Sequence, residues 1–334
     1  MRQNPSAREP GLVSVVMGVR DAGEYLRPTL ESVLGQQGVD LEFVIVDDGS
    51  RDGSSEILRE YAGRDPRVRL LAQPCRGLTE ALIRGCEAAR GAYVARQDAA
   101  DVSRPGRLAR QKEALDADAR LAFVSCWTEY HGPDGEYLFT SRDSGVARSP
   151  SDVVVKAADG RASLADGPSH HGSVMFRGSC YRRAGGYRSE FFLAQDWDLW
   201  FRLAEHGLFQ AIPESLYVAL VLPASRSSSF RAVQHRFGGL ARRAFEMRQS
   251  GRPEREVLDL AEALRPEGPA EAPCRLAGAH YFVGEALRRN RDPRCIKYFR
   301  RTLRADPLHA AGWVRLLQAG AITALGGWRA ETPP

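Results

Sequence analysis

The sequence predicts an α/β fold with a mostly parallel sheet, followed by a C-terminal α-helical extension. Two patterns support this prediction. In residues 12–126, short apolar runs typical of buried strands alternate with segments whose apolar residues recur at helical spacing. Such alternation favours parallel strands covered by helices on both faces. In residues 274–317, by contrast, helical runs follow one another with no strand between them.

The individual elements follow from these patterns in order. Leu12–Val19 is a β-rich apolar run, and the next run, Glu42–Val46, leads directly into two aspartates. Further strands are expected at 68–72, 92–95 and 121–126, and helices at 25–34, 54–62, 78–89, 108–115 and 196–205. Residues 131–172 are rich in Gly, Asp, Ser and His and are expected to form loops with short strands.

The chain of 334 residues is long enough for two domains. We expect three regions along it: a flexible tail at 1–11, an α/β domain at 12–225 and a basic helical region at 226–334. A Pro/Gly-rich stretch predicts a linker near 265–273. The helical runs that follow resemble one tetratricopeptide-type hairpin with a third helix after it, at 274–289, 293–304 and 310–317.

Positive charge is concentrated near the C-terminal end. The net charge is +5, yet residues 230–304 alone hold 17 basic and 9 acidic residues. One interpretation is a set of helices with solvated arginine faces, and another is peripheral attraction to anionic lipid. Nucleic acid is not an expected partner, because no aromatic-rich basic strand or recognition module accompanies the charge.

The sequence predicts neither membrane insertion nor export. No run approaches the ~18 apolar residues of a spanning helix. Residues 1–11 are polar, contain two prolines and lack the apolar core of a signal peptide. We therefore expect a cytoplasmic protein. The six cysteines are widely spaced, without a Cys-x-x-Cys pair, and are expected to be buried thiols.

Acidic residues follow the predicted strands at the edge where parallel sheets bind ligands. Asp47 and Asp48 could accept hydrogen bonds from ribose or base donors, or one of them could cap the following turn. Asp98 and Asp101 suit Mg²⁺ or Mn²⁺, which take hard oxygen ligands. The alternative for this second pair is an N-cap and first-turn acid ahead of the next helix.

A further acid, Asp196, opens the helix predicted at 196–205. It is interpreted either as the N-cap of that helix or as a general base. The same helix is expected to bury its apolar stripe and to expose its other acids, so that Trp197, Trp200 and Phe201 face the core while Asp198 and Glu205 are solvated.

Five motifs occur in a fixed order between residues 13 and 207. They are VSVVMGVRDAGEYLRPTLESVLGQQ, FVIVDDGSRDGS, GLTEALIRGCEAARGAYVARQDAADVSRPGRLARQ, HHGSVMFRGSCYRRAGGY and QDWDLWFRLAEHG. In this order they resemble the inverting, nucleotide-sugar-dependent glycosyltransferases of family 2. The resemblance covers roughly residues 12–217 and implies a GT-A fold, a Rossmann-like and mostly parallel sheet with helices on both faces.

The resemblance implies a role for each matching residue. Asp196 would be the general base, and Asp98 and Asp101 would hold Mn²⁺ or Mg²⁺ against the diphosphate. Asp48 would contact the base or ribose, while Asp47 braces that turn. The remaining positions implied to bind or line the donor site are Gly18, Val19, Arg20, Asp21, Glu24, Gly77, Asp98 and His171.

The implied activity is transfer of a hexose from a nucleoside diphosphate-sugar, with a UDP-sugar favoured, to a hydroxyl group with inversion. The implied acceptor is a glycan or a lipid-linked molecule of bacterial cell-envelope or polysaccharide synthesis. The protein would then work in the cytoplasm, with peripheral contact at the inner face of the membrane through its basic C-terminal region.

Several residues depart from the family's pattern. They are Gly18, Arg20 and Asp21 in the first loop, Ile83 in the third helix, Ala100 where the family has an acid, and Gln195 where it has glutamate. The alternative function is therefore a catalytically silent protein that binds a nucleotide-sugar or acts as a scaffold. A dinucleotide-binding oxidoreductase is disfavoured, because the turn after the first strand lacks the Gly-x-Gly-x-x-Gly pattern.

Overall fold

The computed structural model describes residues 9–142, 154–156, 162–164, 167–222, 231–264, 273–325 and 327–328. The strands are β1 (Glu9–Val19), β2 (Leu41–Asp47), β3 (Val68–Ala72), β4 (Gly91–Arg96), β5 (Val102–Ser103), β6 (Leu121–His131), β7 (Tyr137–Ser141), β8 (Val154–Lys156), β9 (Ala162–Leu164), β10 (Met175–Arg177) and β11 (Leu208–Leu220). The helices are α1 (Leu26–Leu34), α2 (Ser54–Arg64), α3 (Leu78–Ala88), α4 (Arg107–Ala117), α5 (Gly178–Arg183), α6 (Gln195–Ala204), α7 (Arg231–Gln249), α8 (Arg255–Ala263), α9 (Pro273–Arg289), α10 (Cys295–Ala305) and α11 (Ala310–Ala324).

The main sheet has the order β3-β2-β1-β4-β10-β6-β11-β5, and β7 pairs with β6. Strands β3, β2, β1 and β4 are parallel to one another. β10 runs antiparallel to both of its neighbours, β4 and β6. The prediction of an α/β fold with a mostly parallel sheet on its N-terminal side is confirmed. Strands β5 and β11 were not predicted from the sequence.

The first strands form where the sequence has continuous apolar runs. All seven residues of β2 are buried, as expected for a central parallel strand covered on both faces. Helix α3 packs closely on this part of the sheet because glycines stand at the contact. A Cβ atom on Gly85 would lie 2.6 Å from Cγ1 of Val16, and one on Gly18 would lie 3.0 Å from Cδ1 of Leu78.

The chain divides by its contacts into two compact units. Unit 1 comprises residues 1–128, 141–218 and 235–265, and unit 2 comprises residues 129–140, 219–234 and 266–334. Residues 1–8 of the predicted tail and 265–272 of the predicted linker lie outside the described residues, whereas residues 9–11, predicted to be part of a flexible tail, belong to β1. The predicted domain boundaries at 12–225 and 226–334 stay a prediction.

Unit 2 has its own small core. The buried side chains are supplied by the β6–β7 hairpin and by helices α9, α10 and α11: Leu138, Val283, Leu287, Cys295, Tyr298, Phe299 and Ala319. Beside this core, the fully buried Glu136 accepts hydrogen bonds of 3.0 Å from the Tyr298 hydroxyl and pairs with Lys297. The hairpin is thereby fastened to α10.

Two further expectations concern the cysteines and membrane-spanning helices. All five cysteines with described side chains are free thiols, and four of them are buried, but Cys75 is exposed. No helix among the described residues is both long and apolar enough to span a bilayer.

Candidate functional site

The candidate site lies in unit 1, where the carboxyl ends of β2, β1 and β4 are neighbours. The loops that follow these strands carry the acids that the sequence singles out. Because parallel strands end at the same edge of a sheet, the topology brings residues 20–24, 48–50 and 97–101 to that edge.

The loops after β1 and β2 are joined by hydrogen bonds. Asp21 accepts a hydrogen bond of 2.7 Å from the Arg51 backbone N–H, and its own N–H donates to the Ser50 hydroxyl at 3.2 Å. Asp21 has a φ of 50°, a left-handed conformation that is uncommon for a residue with a side chain. The side chains of Arg20 and Glu24 are exposed beside this joined pair of loops.

Asp47 and Asp48 both hold nearby backbone in place by accepting hydrogen bonds. Asp47 accepts hydrogen bonds from the Ser50 N–H at 3.0 Å and from the Ser55 hydroxyl at 2.5 Å. Asp48 is 3% exposed and accepts three hydrogen bonds, from the Gln73 side chain and from two backbone N–H groups, those of Arg76 and Gly77, at 2.7–2.8 Å. A carboxylate has about four acceptor positions, so these three hydrogen bonds leave one position of Asp48 unused.

Gly77 lies at the start of helix α3, where two features disfavour a residue with a side chain. Its φ is 97°, and a Cβ atom there would lie 2.9 Å from the Phe192 ring. Gly18 is not in a loop but is the second-last residue of β1, paired with Val46 of β2. Val19 is 1% exposed and its carbonyl accepts the Asp48 N–H at 2.8 Å, so its side chain belongs to the core.

The acidic turn after β4 is held from below by buried polar side chains. The Gln97 side-chain amide donates to the backbone carbonyl of Asp101 at 2.9 Å, while its carbonyl accepts from Ser103 at 2.7 Å and from Arg107 at 3.1 Å. Ala100 has a φ of 153° in this turn. The N-cap of α4 is Gly106, so the interpretation of Asp98 and Asp101 as helix-capping acids is wrong.

Arg96 is fully buried beneath Asp98. Its guanidinium donates to the carbonyls of Val16 at 2.6 Å and Gln97 at 2.7 Å, and to Oδ1 of Asp98 at 2.5 Å. Burial opposes ionisation of Asp98, but the positive charge of Arg96, its hydrogen bond to Asp98 and the two neighbouring histidines together hold the pKa of Asp98 below its ordinary value. Asp98 is therefore a carboxylate at neutral pH, with Oδ1 bound to Arg96.

His171 extends the same network. Its Nε2 accepts the Arg96 Nε–H at 3.3 Å and the Tyr187 hydroxyl at 2.7 Å. Burial, assisted by the charge of Arg96, holds the pKa of His171 well below its ordinary value, and burial raises that of the Tyr187 hydroxyl. The ring is therefore neutral with its proton on Nδ1, as assigned from these hydrogen bonds.

His170, the residue before it, lies beside the two acids of the turn. Asp98, Asp101 and His170 each offer one ligand atom, and these atoms lie within 4.8 Å of one another. Nε2 of His170 is 3.6 Å from Oδ2 of Asp101, and Nδ1 is 4.0 Å from Oδ2 of Asp98. Burial lowers the pKa of His170, so this ring is also neutral at pH 7.

These three groups fit a divalent cation in part. Two close carboxylates are suitable for Mn²⁺ or Mg²⁺, and the imidazole makes the set less suited to Mg²⁺, which prefers oxygen ligands. However, Nδ1 of His170 accepts the Gly172 N–H at 3.1 Å, which places the ring proton on Nε2. His170 can therefore join a metal through Nε2 only after it changes tautomer.

Asp196 lies in the first turn of α6 and is half-buried. Its Oδ1 accepts the Trp197 N–H at 3.0 Å. Burial raises the pKa of Asp196 to about 6, and the negative charge of Asp98 adds to the shift. The N-cap of α6 is Ala194, with a φ of 52°, so the interpretation of Asp196 as the N-cap is wrong.

Asp198 was expected to be solvated, and this is wrong. It is 1% exposed and binds the guanidinium of Arg202 one turn later, which also donates to the carbonyls of Ala184 and Gly186 at 2.5 Å. The pair fastens the start of α6 to the preceding turn. Trp197 is only half-buried, and Glu205 is half-buried and bound to Arg248 at 2.8 Å.

The sequence interpretation missed five residues that support the site: Arg96, Arg107, His170, Tyr187 and Tyr217. Arg107 is buried, donates to the carbonyls of Arg96 and Gly172, and stacks over the Tyr217 ring at 4.7 Å. Tyr217 in turn accepts the Asp98 N–H at 3.1 Å. A sequence signal was present, because Arg96 and Gln97 are polar residues at the end of an otherwise apolar strand.

Known proteins resemble part of this chain. EpsE of Bacillus subtilis, named as a glycosyltransferase, is 31% identical over 200 residues, which are 58% of this chain and 67% of EpsE. A chondroitin synthase of Pasteurella multocida is 25% identical over 206 residues, which are 62% of this chain and only 20% of that protein.

Solved structures with lower identity share the fold. TarS (residues 1–349) of S. aureus in complex with UDP-GlcNAc matches with a TM-score of 0.54 and 13% identity, covering 94% of this chain and 92% of that one. A mannosyltransferase of Pyrobaculum calidifontis in complex with GDP-Man and Mn²⁺ matches with a TM-score of 0.52 and 17% identity, covering 97% and 88%. Both are GT-A proteins.

The family model described as Glycosyl transferase family 2 matches residues 14–178, which hold the loops after β1, β2 and β4 and both histidines. Together with the identity to EpsE over two-thirds of that relative, this match decides the assignment. The chain belongs to glycosyltransferase family 2 and has the GT-A fold.

Proposed function

We propose that this protein transfers a hexose from a nucleoside diphosphate-sugar to an acceptor hydroxyl with inversion of the anomeric configuration, and that Asp196 is the general base. The observation that carries the proposal is the electrostatic state of Asp196. Its carboxyl group is half-buried, and its pKa is raised to about 6. The group is close enough to the acidic turn for the negative charge of Asp98 to contribute to this shift. A general base is most effective when its pKa is near the working pH.

The chain's own groups suit this proton transfer. The Trp197 N–H holds Oδ1 of Asp196, which leaves Oδ2 to accept the proton of the attacking hydroxyl. The left-handed Ala194 and the buried Asp198–Arg202 pair fix the first turn of α6 on either side of the base. A base held in one orientation avoids the loss of rotamer freedom when the acceptor binds.

The donor would lie across the joined loops after β1 and β2. There, Gly18 and Val19 would contact the donor through their backbone only. The exposed side chains of Arg20 and Glu24 would be available to contact the nucleobase. Asp48 would offer its remaining acceptor position to ribose or base and hold Gly77 at the start of α3, while His171 lines the pocket. A UDP-sugar is favoured, since TarS is a GT-A protein in complex with UDP-GlcNAc.

Asp98 and Asp101 would hold Mn²⁺ or Mg²⁺, with His170 as a third ligand in its other tautomer. When bound, the cation would offset negative charge on the departing nucleoside diphosphate. Arg96 fixes the orientation of Asp98 and leaves Oδ2 turned towards His170. The mannosyltransferase structure with GDP-Man and Mn²⁺ supports a cation in this fold.

The acceptor would be a glycan or a lipid-linked molecule in bacterial polysaccharide or cell-envelope synthesis, as the name of the chondroitin synthase relative suggests. We place the protein in the cytoplasm, with a GT-A domain at 12–225. The basic region at 226–334 would touch the inner face of the membrane. Within it, α9 and α10 pack as a helical hairpin, which supports a tetratricopeptide-like extension.

A catalytically silent nucleotide-sugar-binding or scaffold protein is the second candidate. It is favoured by Ala100, which replaces an acid of the family pattern, and by Gln195 beside the base. It is also favoured by Arg96, which already neutralises one of the two remaining acids.

Incubation with UDP-, GDP- and dTDP-sugars tests the two candidates. We expect release of a nucleoside diphosphate in the presence of Mn²⁺ or Mg²⁺, and an inverted anomeric signal in the product by NMR. Tight donor binding by calorimetry without turnover would support the scaffold, as would activity gained only in Ala100→Asp. If no donor is bound or hydrolysed with either metal, the transferase and the nucleotide-sugar-binding protein both fail, and only a scaffold role remains.

A further inference from the structure

Helix α11 (Ala310–Ala324) presents an apolar face to solvent. Trp313 is 49% exposed, Val314 52% and Leu317 70%, and Leu325 just beyond the helix is 85% exposed. The exposed Ala310, Ala321 and Ala324 continue the same side, since residues three and four apart share a helix face. Exposed apolar residues in a continuous stripe mark an interaction surface.

The opposite side of α11 already serves the core of unit 2. Ala319 is fully buried there, and Leu316 packs against the same cluster. The helix has a single charged residue, Arg315, which pairs with Glu285 of α9 at 3.2 Å. A helix that is apolar on all sides is normally covered on all sides. The core of unit 2 therefore explains why the inner face of α11 is apolar, but not why its outer face is apolar.

Positive charge surrounds this face. Residues 273–325 hold ten basic and three acidic residues. Arg288, Arg289 and Arg291 line a groove with Leu325 and Trp328 at one end of α11. Arg300 lines a second groove with Leu316, Leu317 and Ala321.

The three acids of this segment are already engaged. Glu285 binds Arg288, Arg289 and Arg315, Asp292 binds Arg294, and Asp306 accepts the backbone N–H of Leu308. With all three acids counted, ten basic minus three acidic residues leave a net charge of +7 on this segment, so the occupant of this face must accept both an apolar stripe and a cationic border.

We propose that the face of α11 inserts into the interface of an anionic lipid bilayer, with the arginines of α9 and α10 on the lipid headgroups. A second copy of this chain would bring two positive surfaces together, which charge repulsion disfavours. An interfacial helix with an apolar face, an interfacial tryptophan and flanking arginines is the arrangement that binds anionic membranes. This inference makes the membrane contact of the proposed function specific to one helix.

Sedimentation with lipid vesicles tests the proposal with no donor present. The full chain should pellet with vesicles of phosphatidylcholine plus phosphatidylglycerol at low salt. It should pellet much less with phosphatidylcholine alone or at high salt, because salt screens exposed charges. Leu317→Gln should weaken binding about tenfold or more, since burial of a leucine is worth more than 1.4 kcal/mol, a factor of about ten. The matched control Leu260→Gln changes a leucine of α8 that is 41% exposed and should bind as the unmodified chain does.

The charge contribution is tested by Arg289→Gln with Arg300→Gln. Each exposed arginine near the surface is worth about 1 kcal/mol, or about a fivefold change in the binding constant. The control Arg59→Gln with Arg255→Gln removes the same charge from exposed sites of unit 1 and should have no effect. Brominated lipid should quench tryptophan emission in the unmodified chain and much less in Trp313→Phe.

The proposal is overturned by any of three results: no binding to anionic vesicles at low salt, equal binding by the variants and the unmodified chain, or self-association that Leu317→Gln abolishes. The last result would assign the face to a second copy. Nucleoside diphosphate release in lipid-free buffer should be unchanged in all of these variants. A failure here would therefore leave the transferase proposal untouched, and the reverse also holds.

Discussion

The acidic edge of the sheet in unit 1 and the surface of α9, α10 and α11 in unit 2 use charge in opposite ways. In unit 1, hydrogen bonds hold Arg96 and Asp98 at the sheet edge, and the buried Arg202 holds Asp198 on α6. In unit 2, Arg289 and Arg300 are exposed beside apolar side chains. Both regions are rich in arginine, but only the first restricts where each charge can be.

Burial decides what a charged side chain can do. A buried ion is stabilised only by well-placed partners, so its position is fixed and the pKa values of its neighbours shift. An exposed arginine keeps its hydration and is screened by salt, which suits attraction to a diffuse anionic surface. The first arrangement suits a reaction at one atom, and the second suits docking.

The largest effect is expected in unit 1, for Asp196→Asn. Removing a general base lowers the rate by a factor of about 10² to 10⁴. The amide keeps the shape of the side chain, so donor binding measured by calorimetry should change little. Nucleoside diphosphate release measures the loss, with the exposed Asp259→Asn of α8 as control. Full activity in Asp196→Asn would remove this residue from the mechanism.

The same substitution should make the protein more stable. The folded-state pKa of Asp196 is raised from 3.8 to about 6, so the stability linked to this group is present below the unfolded pKa and is lost as the pH rises through about 6. Relief of that penalty is worth up to about 3 kcal/mol at pH 7. Thermal unfolding at pH 7.5 should show a higher Tm for Asp196→Asn, with the gain fading towards pH 4. An unchanged Tm at pH 7.5 would contradict the raised pKa.

Arg96→Lys should weaken the proposed metal site without removing charge. Lysine cannot reach Asp98, His171 and two backbone carbonyls at once, because it lacks the planar fork of arginine. Loss of a group that orients a metal ligand typically changes metal affinity or activity about 10- to 100-fold. The Mn²⁺ concentration for half-maximal nucleotide release measures this effect, and circular dichroism checks the fold. An unchanged Mn²⁺ requirement would assign Arg96 a purely structural part.

A pH series should separate the two regions directly. Turnover should fall about tenfold per pH unit below pH 6, because Asp196 must be deprotonated to act as a base. Vesicle binding should stay level from pH 5 to pH 8, since arginine remains charged throughout that range. Parallel titration of both activities in one buffer set measures this, and vesicle binding that follows the turnover curve would contradict the arginine-based docking.

Hydrophobic pattern predicted most of the fold, because continuous apolar runs become buried parallel strands. It predicted the acidic turn at Asp98 and Asp101 for the same reason, since both follow such a strand. The pattern failed where a polar residue is buried through a distant partner. Asp198 was wrongly expected in solvent, although its i+4 neighbour Arg202 offered a signal of pairing.

Other members of the site could not be foreseen from local sequence. His170 is near Asp101 only because the 3-10 turn before β10 returns to the end of β4, a contact 69 residues away along the chain. Tyr187 and Tyr217 reach the network from still later segments. Periodicity describes a residue's face within its own element, so it says nothing about partners that the topology supplies.

The backbone torsions of the site loops have a consequence for engineering. Three of the four non-glycine residues with positive φ among the described part of the chain lie in these loops: Asp21, Ala100 and Ala194. A stability screen would be drawn to glycine at each of them, because glycine relieves the torsional strain. Such variants would also widen the set of shapes that the loops can sample. An enzyme stabilised in this way would hold the acids of its site loops in less well defined positions. These three positions are therefore better left out of a stabilising library.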